Sequence, residues 1–452
     1  MTERRLFPAS MVDDITYCTD RAYANLSLNY AWIFTLEGEI DTDAFQKALD
    51  HTLDHYPKGK CILTNHYPSP KRWFRYCWEY TNTTANDILE KITWPDSHLT
   101  IEEAIKYYTS HHARFLMDLS SHVPLRVVLI RAAKRTFLFF IMHHAVADGL
   151  GGFFFIQKFI TLYEAILYQR SLEPPGHSAF DAISIPDIRF RWALFSPRYL
   201  LPYLKSFYLM QREPSLNLFP RKTARIISGK YDATVRQLTP LQLGTIRSTS
   251  KTYGATINDY LLAGMFQTIK KWSQEWMTQS DRIYITVPMN LRSSDDRTLT
   301  NILSGVNISL PIESIRNKEE MLPLIRQELA TMVKNNLAQT LINFSSLLKP
   351  VPIPLRIPLV KHYAPGFAPS IVLSNMGILS PNPDHQDQEG FHYLGDARIS
   401  EIHGLPAVGA WPMLLLFTYN NRVIFNLSFL NSYFSSETGR RFLDWFIREV
   451  IG

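Results

Sequence analysis

Two adjacent segments constrain the fold of this chain most. PLRVVLI (124–130) and TFLFFIMHHAV (136–146) are rich in β-branched and aromatic residues and are separated only by the charged turn RAAKR, so they read as an antiparallel hairpin. LGGFFFIQKFITLYEAILYQ (150–169) then returns to helical spacing. Upstream, the β-rich run NYAWIFTLEGEI (29–40) leads through Asp41 and Thr42, both N-cap residue types, into a helix with Phe45, Leu49 and Leu53 every fourth position. Strand runs and amphipathic helices that alternate in this way call for a mixed α/β unit.

The second half repeats the style without repeating the sequence. SGKYDATVRQL reads as a strand, TPLQLGTIRSTSKTYG and ATINDYLLAGMFQTIKKWSQ as helices. RIYITVPMNLR, NILSGVNISLPI, APSIVLSNMG, MLLLFTYNN and RVIFNLSFL supply five strand candidates, and SSETGRRFLDWFIREVIG a terminal amphipathic helix capped by Ser435 or Ser436. The expected organisation is an N-terminal half over residues 1–185, a crossover over 186–225 and a C-terminal half over 226–452.

The chain's net charge of +6 is concentrated in that crossover. From 189 to 225 there are eight basic residues and one acid, Glu213, which leaves −1 for the rest. Trp192, Phe195, Tyr199, Tyr203 and Phe207 recur there at spacings of three or four, while Pro197 and Pro202 argue against a regular helix. Two readings stay open: a structural crossover whose aromatics pack on the halves, and a surface in peripheral contact with membrane or lipid. Nucleic acid is not an expected partner, because no RNA- or DNA-binding signature accompanies the basic residues.

Composition excludes other classes. With 46% hydrophobic and 19% charged residues among 452, the chain is neither disordered nor fibrous. The N-terminal MTERRLFPASMVDDITY lacks the apolar core of a secretory signal, and no charge-free apolar stretch of roughly twenty residues argues for a membrane span. Cys18, Cys61 and Cys77 form neither a C-x-x-C pair nor a disulfide pattern, which fits a reducing, cytoplasmic compartment.

The string His143-His144-Ala145-Val146-Ala147-Asp148-Gly149 follows the strand TFLFFIM directly. Side chains alternate along a strand, so the two histidines cannot face one cavity; one is expected to act and the other to support. A satisfied pair of polar histidines is the bland alternative. No metal site is expected, because His144 and Asp148 lack a third ligand at metal-site spacing. Neither a G-x-S-x-G elbow nor a G-x-G-x-x-G fingerprint occurs.

HHAVADG fits every fixed position of the HHxxxDG motif, and the chain so resembles the CoA-dependent acyltransferase superfamily. That superfamily includes chloramphenicol acetyltransferase, peptide-synthetase condensation domains, polyketide-associated acyltransferases and wax ester synthase/diacylglycerol acyltransferases. PLRVVLI, ATINDYLLAG, VPMNLR and VLSNMG are similar to further landmarks in family order. The resemblance implies two chloramphenicol-acetyltransferase-like α/β domains, each a mixed sheet packed with helices, with an active-site tunnel at their interface. It implies His144 as general base, with His143 supporting, and Asp148 as an architectural residue salt-bridged to an arginine, for which Arg292 is the candidate. Gly149 is expected to permit a close turn or a positive φ. Ser374 and Asn375, and at a helix start Asn258 and Asp259, are candidates for binding substrate or the oxyanion; for the latter two a capping role stays open.

The reaction implied is acyl transfer from a thioester, either acyl-CoA or an acyl carrier protein with its phosphopantetheine arm, to an alcohol or an amine, within lipid or secondary metabolism. A hydroxyl acceptor of hydrophobic character is favoured, and no cofactor is bound permanently. Amide-forming condensation and a non-catalytic condensation-like module that docks a synthase partner are the alternatives. A monomer is expected, because two halves make their own interface. The chain lacks the DFGWG string of plant acyltransferases, LPAVGAWPM standing in the comparable region.

Overall fold

The structure is a computed structural model that describes residues 4–23, 28–66, 71–95, 99–112, 117–176, 179–184, 195–218, 230–276, 280–363, 369–407, 411–432 and 434–452. The chain opens with β1 (Leu6–Pro8), α1 (Met11–Ala22), β2 (Asn29–Glu37), α2 (Thr42–His55), β3 (Cys61–Thr64) and β4 (Cys77–Tyr80). Next come α3 (Ala85–Ile88), β5 (Leu89–Thr93), α4 (Ile101–His111), β6 (Leu125–Arg131), β7 (Thr136–His143) and α5 (Gly149–Leu167). A bridging helix, α6 (Pro197–Arg212), precedes β8 (Tyr231–Gln237), α7 (Pro240–Thr252), α8 (Ile257–Glu275), β9 (Arg282–Asn290) and β10 (Leu303–Pro311). After α9 (Lys318–Lys334), α10 (Leu337–Ser345) and α11 (Ile353–Tyr363) the chain ends with β11 (Ile371–Ile378), β12 (His392–Leu394), β13 (Ala397–Leu405), β14 (Met413–Tyr419), β15 (Arg422–Leu430) and α12 (Ser436–Ile451).

Two six-stranded mixed sheets organise the molecule, one in the order β12-β13-β2-β7-β6-β5 and the other β10-β9-β11-β14-β15-β8. The expected hairpin is present: β6 and β7 pair antiparallel from Leu125↔Met142 to Arg131↔Thr136. All eight residues of β7 are buried, which explains why its sequence is apolar on both faces. Helix α5 covers this sheet with Phe155, Ile156 and Phe159 fully buried. It is long and apolar enough to cross a membrane, but half or more of it is inside the protein, as in a core helix.

The division at 185 and 226 misses one exchange. Strand β13, although it belongs to the C-terminal half in sequence, pairs antiparallel with β2, Ile402 opposite Phe34 and Gly404 opposite Trp32. With β12 it extends the N-terminal sheet, so that sheet is completed by residues 392–405. Hydrogen-bonding capacity along this edge of β2 is met by a segment about 370 residues on, a pairing that local periodicity cannot reveal.

In the crossover, Arg189, Arg191, Trp192, Arg221, Lys222 and Arg225 lie outside the described residues. The described part corrects the expectation about proline: α6 runs as one helix from Pro197 to Arg212. Pro197 occupies the first turn, where no intrahelical N–H bond is lost. Pro202 sits inside, removing the bond to the Arg198 carbonyl without ending the helix.

A buried ion pair clips α1 to α11. The Arg356 guanidinium donates to the Asp14 carboxylate and to the carbonyls of Phe74, Lys349 and Val351, and both charged side chains are buried. Removing one partner strands the other in low dielectric. Arg356→Ala is expected to destabilise the fold by about 3–5 kcal/mol, read as a lower midpoint in urea unfolding followed by fluorescence.

Candidate active site

His144 follows β7 immediately, and its backbone N–H donates to the Leu28 carbonyl at 2.8 Å. Its predecessor is turned away from it. His143 is buried, accepts at Nδ1 from the Ala145 N–H at 3.0 Å, and places Nε2 3.6 Å from Asp20 Oδ2. Asp20 Oδ1 in turn accepts from the Leu28 N–H at 3.1 Å. His143 thus supports the turn from behind, and His144 alone of the two lines the cavity beyond it.

Asp148 caps α5, accepting the Gly151 N–H at Oδ1 over 2.9 Å. Its Oδ2 accepts from Arg292 Nη1 at 2.5 Å and from the Ile302 N–H at 2.8 Å. Arg292, at the end of β9, also donates to the Thr300 carbonyl. Both ends of this pair are almost fully buried, each side chain about 2% exposed, so its attraction is little screened. The Asp148 carbonyl accepts from Tyr30 Oη at 3.0 Å, and the Tyr30 ring meets the His144 ring edge-on with centroids 5.7 Å apart.

The expectation for Gly149 changes in detail. Gly149 is the first residue of α5 and does not have a positive φ. A Cβ there would meet Met376 at ordinary contact distance, 3.6 Å. The close approach falls at Gly151, where a Cβ would come within 2.8 Å of both Arg292 Nη2 and the Thr300 carbonyl oxygen, and at Gly152, where it would run into Tyr30. Glycines 151 and 152 let α5 start flush against the Asp148–Arg292 pair.

A cavity of about 170 Å³ lies between the two main sheets. His144, Asp148, Gly149, Ser374 and Asn375 all line it, drawn from positions up to 231 residues apart. Trp32, Leu150, Met376, Leu405 and Leu415 give it apolar walls. A larger cleft of about 480 Å³ opens between α4 and β8. Tyr231 of that cleft donates to the Pro406 carbonyl at 2.9 Å, and Pro406 lines the first cavity, so the two adjoin there.

The other two candidates take different parts. Asn258 does not line the cavity; its Oδ1 accepts from Asn375 Nδ2 at 2.5 Å and holds that side chain. The Asn375 Oδ1 accepts from the Gly377 N–H at 2.9 Å, Gly377 having φ +73° near the end of β11, where the pairing with β14 shifts register. Asp259 is corrected to a cap and an ion pair: it accepts from the Thr256 N–H at 3.2 Å and stands 3.5 Å from Arg326 Nε, at the start of α8 and away from the cavity. A helix-start carboxylate three residues after threonine is consumed by the capping box.

Sequence reasoning missed Tyr30 and Asn301. Tyr30 is hidden in an apolar strand run, and nothing local marks its hydroxyl. Asn301 Nδ2 donates to the His144 carbonyl at 2.9 Å and stands 3.2 Å from His144 Nδ1, beside the strand start NILSG. Burial holds the His144 imidazole below its ordinary value; Asp148 and a backbone hydrogen bond at His144 itself pull the other way, and His143 adds to the lowering. The ring is accordingly neutral at pH 7.

Residues 21–182 match the family model of the condensation domain. No curated protein sequence matches the chain. Among solved structures, the first condensation domain of the calcium-dependent antibiotic synthetase, in complex with a substrate analogue, superposes with a TM-score of 0.72 at 12% identity, covering 100% of this chain and 96% of that one. The trichothecene 15-O-acetyltransferase TRI3 from Fusarium sporotrichioides gives 0.73 at 10% identity over 99% and 95% of the two chains. A mutant starter condensation domain of rhizomide synthetase, in complex with C8-CoA and Leu-SNAC, gives 0.68 at 12% identity over 99% and 94%. The two-lobed condensation-domain fold therefore extends over the whole chain, as the resemblance implied.

Asp148→Ala leaves Arg292 buried without its partner and the first turn of α5 uncapped. It is expected to cost about 3–5 kcal/mol of stability, whereas Asp259→Asn, which keeps a cap, is expected to cost less than about 1 kcal/mol. Paired denaturant titrations of the two variants check this ordering.

Proposed function

From the condensation-domain fold of the whole chain and the family match over residues 21–182 as premise, we propose that the protein is an acyltransferase, which moves an acyl group from a thioester to a hydroxyl acceptor by direct attack, with His144 as general base. The observation that carries this reading is a neutral imidazole lining a cavity between the two sheets, with serine and asparagine from the opposite sheet on the same cavity. In this reading Nδ1 bears the proton and the lone pair on Nε2 is presented to the acceptor. As the acceptor oxygen attacks the thioester carbonyl, its proton passes to Nε2. The carbonyl oxygen gains negative charge, which the Ser374 hydroxyl stabilises as a donor. Collapse expels the thiolate, which takes the proton from Nε2. Asn375, tied to Asn258 and Gly377, fixes the irregular end of β11 that offers Ser374.

Two features support the finer choice. Among the described residues that line the cavity the carboxylate is Asp148, which already accepts three hydrogen bonds and so is not free for a substrate ammonium; this favours a hydroxyl over a charged amine. The apolar walls favour a hydrophobic acyl chain or acceptor. At about 170 Å³ the cavity is smaller than the roughly 300–1,000 Å³ of drug-sized ligand sites, so it encloses the reacting ends while the rest of each substrate lies outside, in a tunnel between the sheets. The donor is acyl-CoA or a phosphopantetheinyl carrier protein. The protein works as a monomer in the cytoplasm.

The direct test is thiol release from a panel of acyl-CoAs, with and without primary alcohols and amines. Acceptor-dependent release should fall at least about 10²-fold in His144→Ala; unchanged release in a folded variant would remove His144 as the base. Because burial depresses the His144 pKa, the imidazole stays neutral as pH falls to the ordinary imidazole value of about 6.5, and the acid limb of kcat/KM should lie below that value. Asn301 places a partly positive amide beside the ring, so Asn301→Ala should lower kcat about tenfold or more and move the acid limb upward, toward the ordinary imidazole value. A slower enzyme with an unmoved limb would leave Asn301 a merely structural part.

A further inference from the structure

Two stretches of the sequence contain no aspartate or glutamate: residues 188–212 and residues 329–383. At the chain's average, 41 acids in 452 residues, the second stretch of 55 residues would carry about five. The first lies in the basic crossover; the second runs from the end of α9 through α10 and α11 into β11. The fold packs them together. Helix α6 lies against α10, with the Tyr203 and Phe344 rings 5.1 Å apart, and α11 follows α10 after one short turn.

We propose that the outer face of α6 and the adjoining α10–α11 segment binds the surface of an anionic lipid bilayer. On α6 the exposed residues Arg198, Leu201, Lys205, Tyr208 and Arg212 recur at spacings of three or four and form one stripe, with Leu204 beside it. Leu201 is 63% exposed and Tyr208 58%, unusual values for such side chains in a folded protein. The neighbouring segment adds Phe344, Leu347 and Leu355, all exposed, and the exposed cations Lys334 and Lys361.

Charge and shape together select the occupant. The inner residues of α6, Tyr203 and Met210 among them, already pack against the protein, so the apolar side chains outside are surplus to the core. They are interleaved with lysine and arginine, with no acid in either stretch. An interfacial helix is built this way: aliphatic and tyrosine side chains enter the headgroup boundary while cations meet lipid phosphates and carboxylates. Two acids that flank the stretches are engaged within the protein: Glu213 accepts from Arg282 Nε at 2.9 Å, and Glu328 is half-buried beside Arg282 and Lys205. A face of this kind would hold the enzyme where hydrophobic substrates are dissolved, and its binding does not depend on the chemistry at His144.

The test is sedimentation of the full chain with vesicles of phosphatidylcholine alone and with about one third phosphatidylserine. The expected result is binding to the anionic vesicles, weakened by high salt and far lower on neutral ones. Arg198→Gln with Lys205→Gln should reduce the partition coefficient by more than about tenfold, and Leu201→Ser with Leu355→Ser by a similar factor. All four positions are exposed, so both variants should keep the unfolding temperature of the parent. His144→Ala should bind as the parent does, which separates this face from the proposed reaction. Absence of binding to anionic vesicles at low salt, equal binding to neutral ones, or binding unchanged in both variants overturns the proposal. So does a concentration-dependent dimer that Leu201→Ser with Leu355→Ser abolishes in the absence of vesicle binding, which would make the face a contact between two copies.

Discussion

The carboxylate of Asp148 is the point on which the two halves of the molecule turn. It caps a helix of the first half through the Gly151 N–H and meets the Ile302 N–H and the Arg292 guanidinium of the second. Three donors satisfy a buried charge that would otherwise be expensive. The same contacts fix the start of α5, the chain after β9 and the approach to β10 relative to one anion. Glycine at 151 is a consequence, since a Cβ there would push the helix off Arg292, while glycine at 152 makes room for Tyr30.

His144 inherits its position from that arrangement. Its carbonyl is taken by Asn301, one residue from the Thr300 carbonyl that Arg292 holds, and its N–H by Leu28, which Asp20 holds. The imidazole is therefore anchored from both halves while its ring faces the cavity. His143, identical in type, is turned away from the cavity by strand alternation and faces Asp20 of α1.

The exchange of β12 and β13 adds a second bond between the halves. Leu405 ends β13, and Pro406 and Ala407 continue along the cavity before β14 begins in the other sheet. One segment thus closes the edge of the first sheet and forms a wall of the site. On the outside, the acid-free helices α6, α10 and α11 offer a separate surface whose character comes from what the sequence omits as much as from what it contains.

The sequence by itself determined much of the architecture. Alternating patterns place β2, β6, β7, α2, α5, α8 and the last three elements close to their observed limits, because each buries a face whose period is set by its own backbone. The string from His143 to Gly149 was also legible as one short run, and Arg292, Ser374 and Asn375 came into view through the resemblance to the acyltransferase superfamily, whose landmarks follow in the same order. Only the tertiary structure decided the rest. Local pattern carries no information about a partner hundreds of residues away, so the pairing of β13 with β2, the amide of Asn301 at His144, the hydroxyl of Tyr30 and the meeting of two acid-free stretches emerged only from the packing. Asp259 shows the converse: its position at a helix start admitted a cap and a site role equally, and the choice fell to the direction of one carboxylate, toward Thr256 and Arg326, which the folded backbone alone fixes.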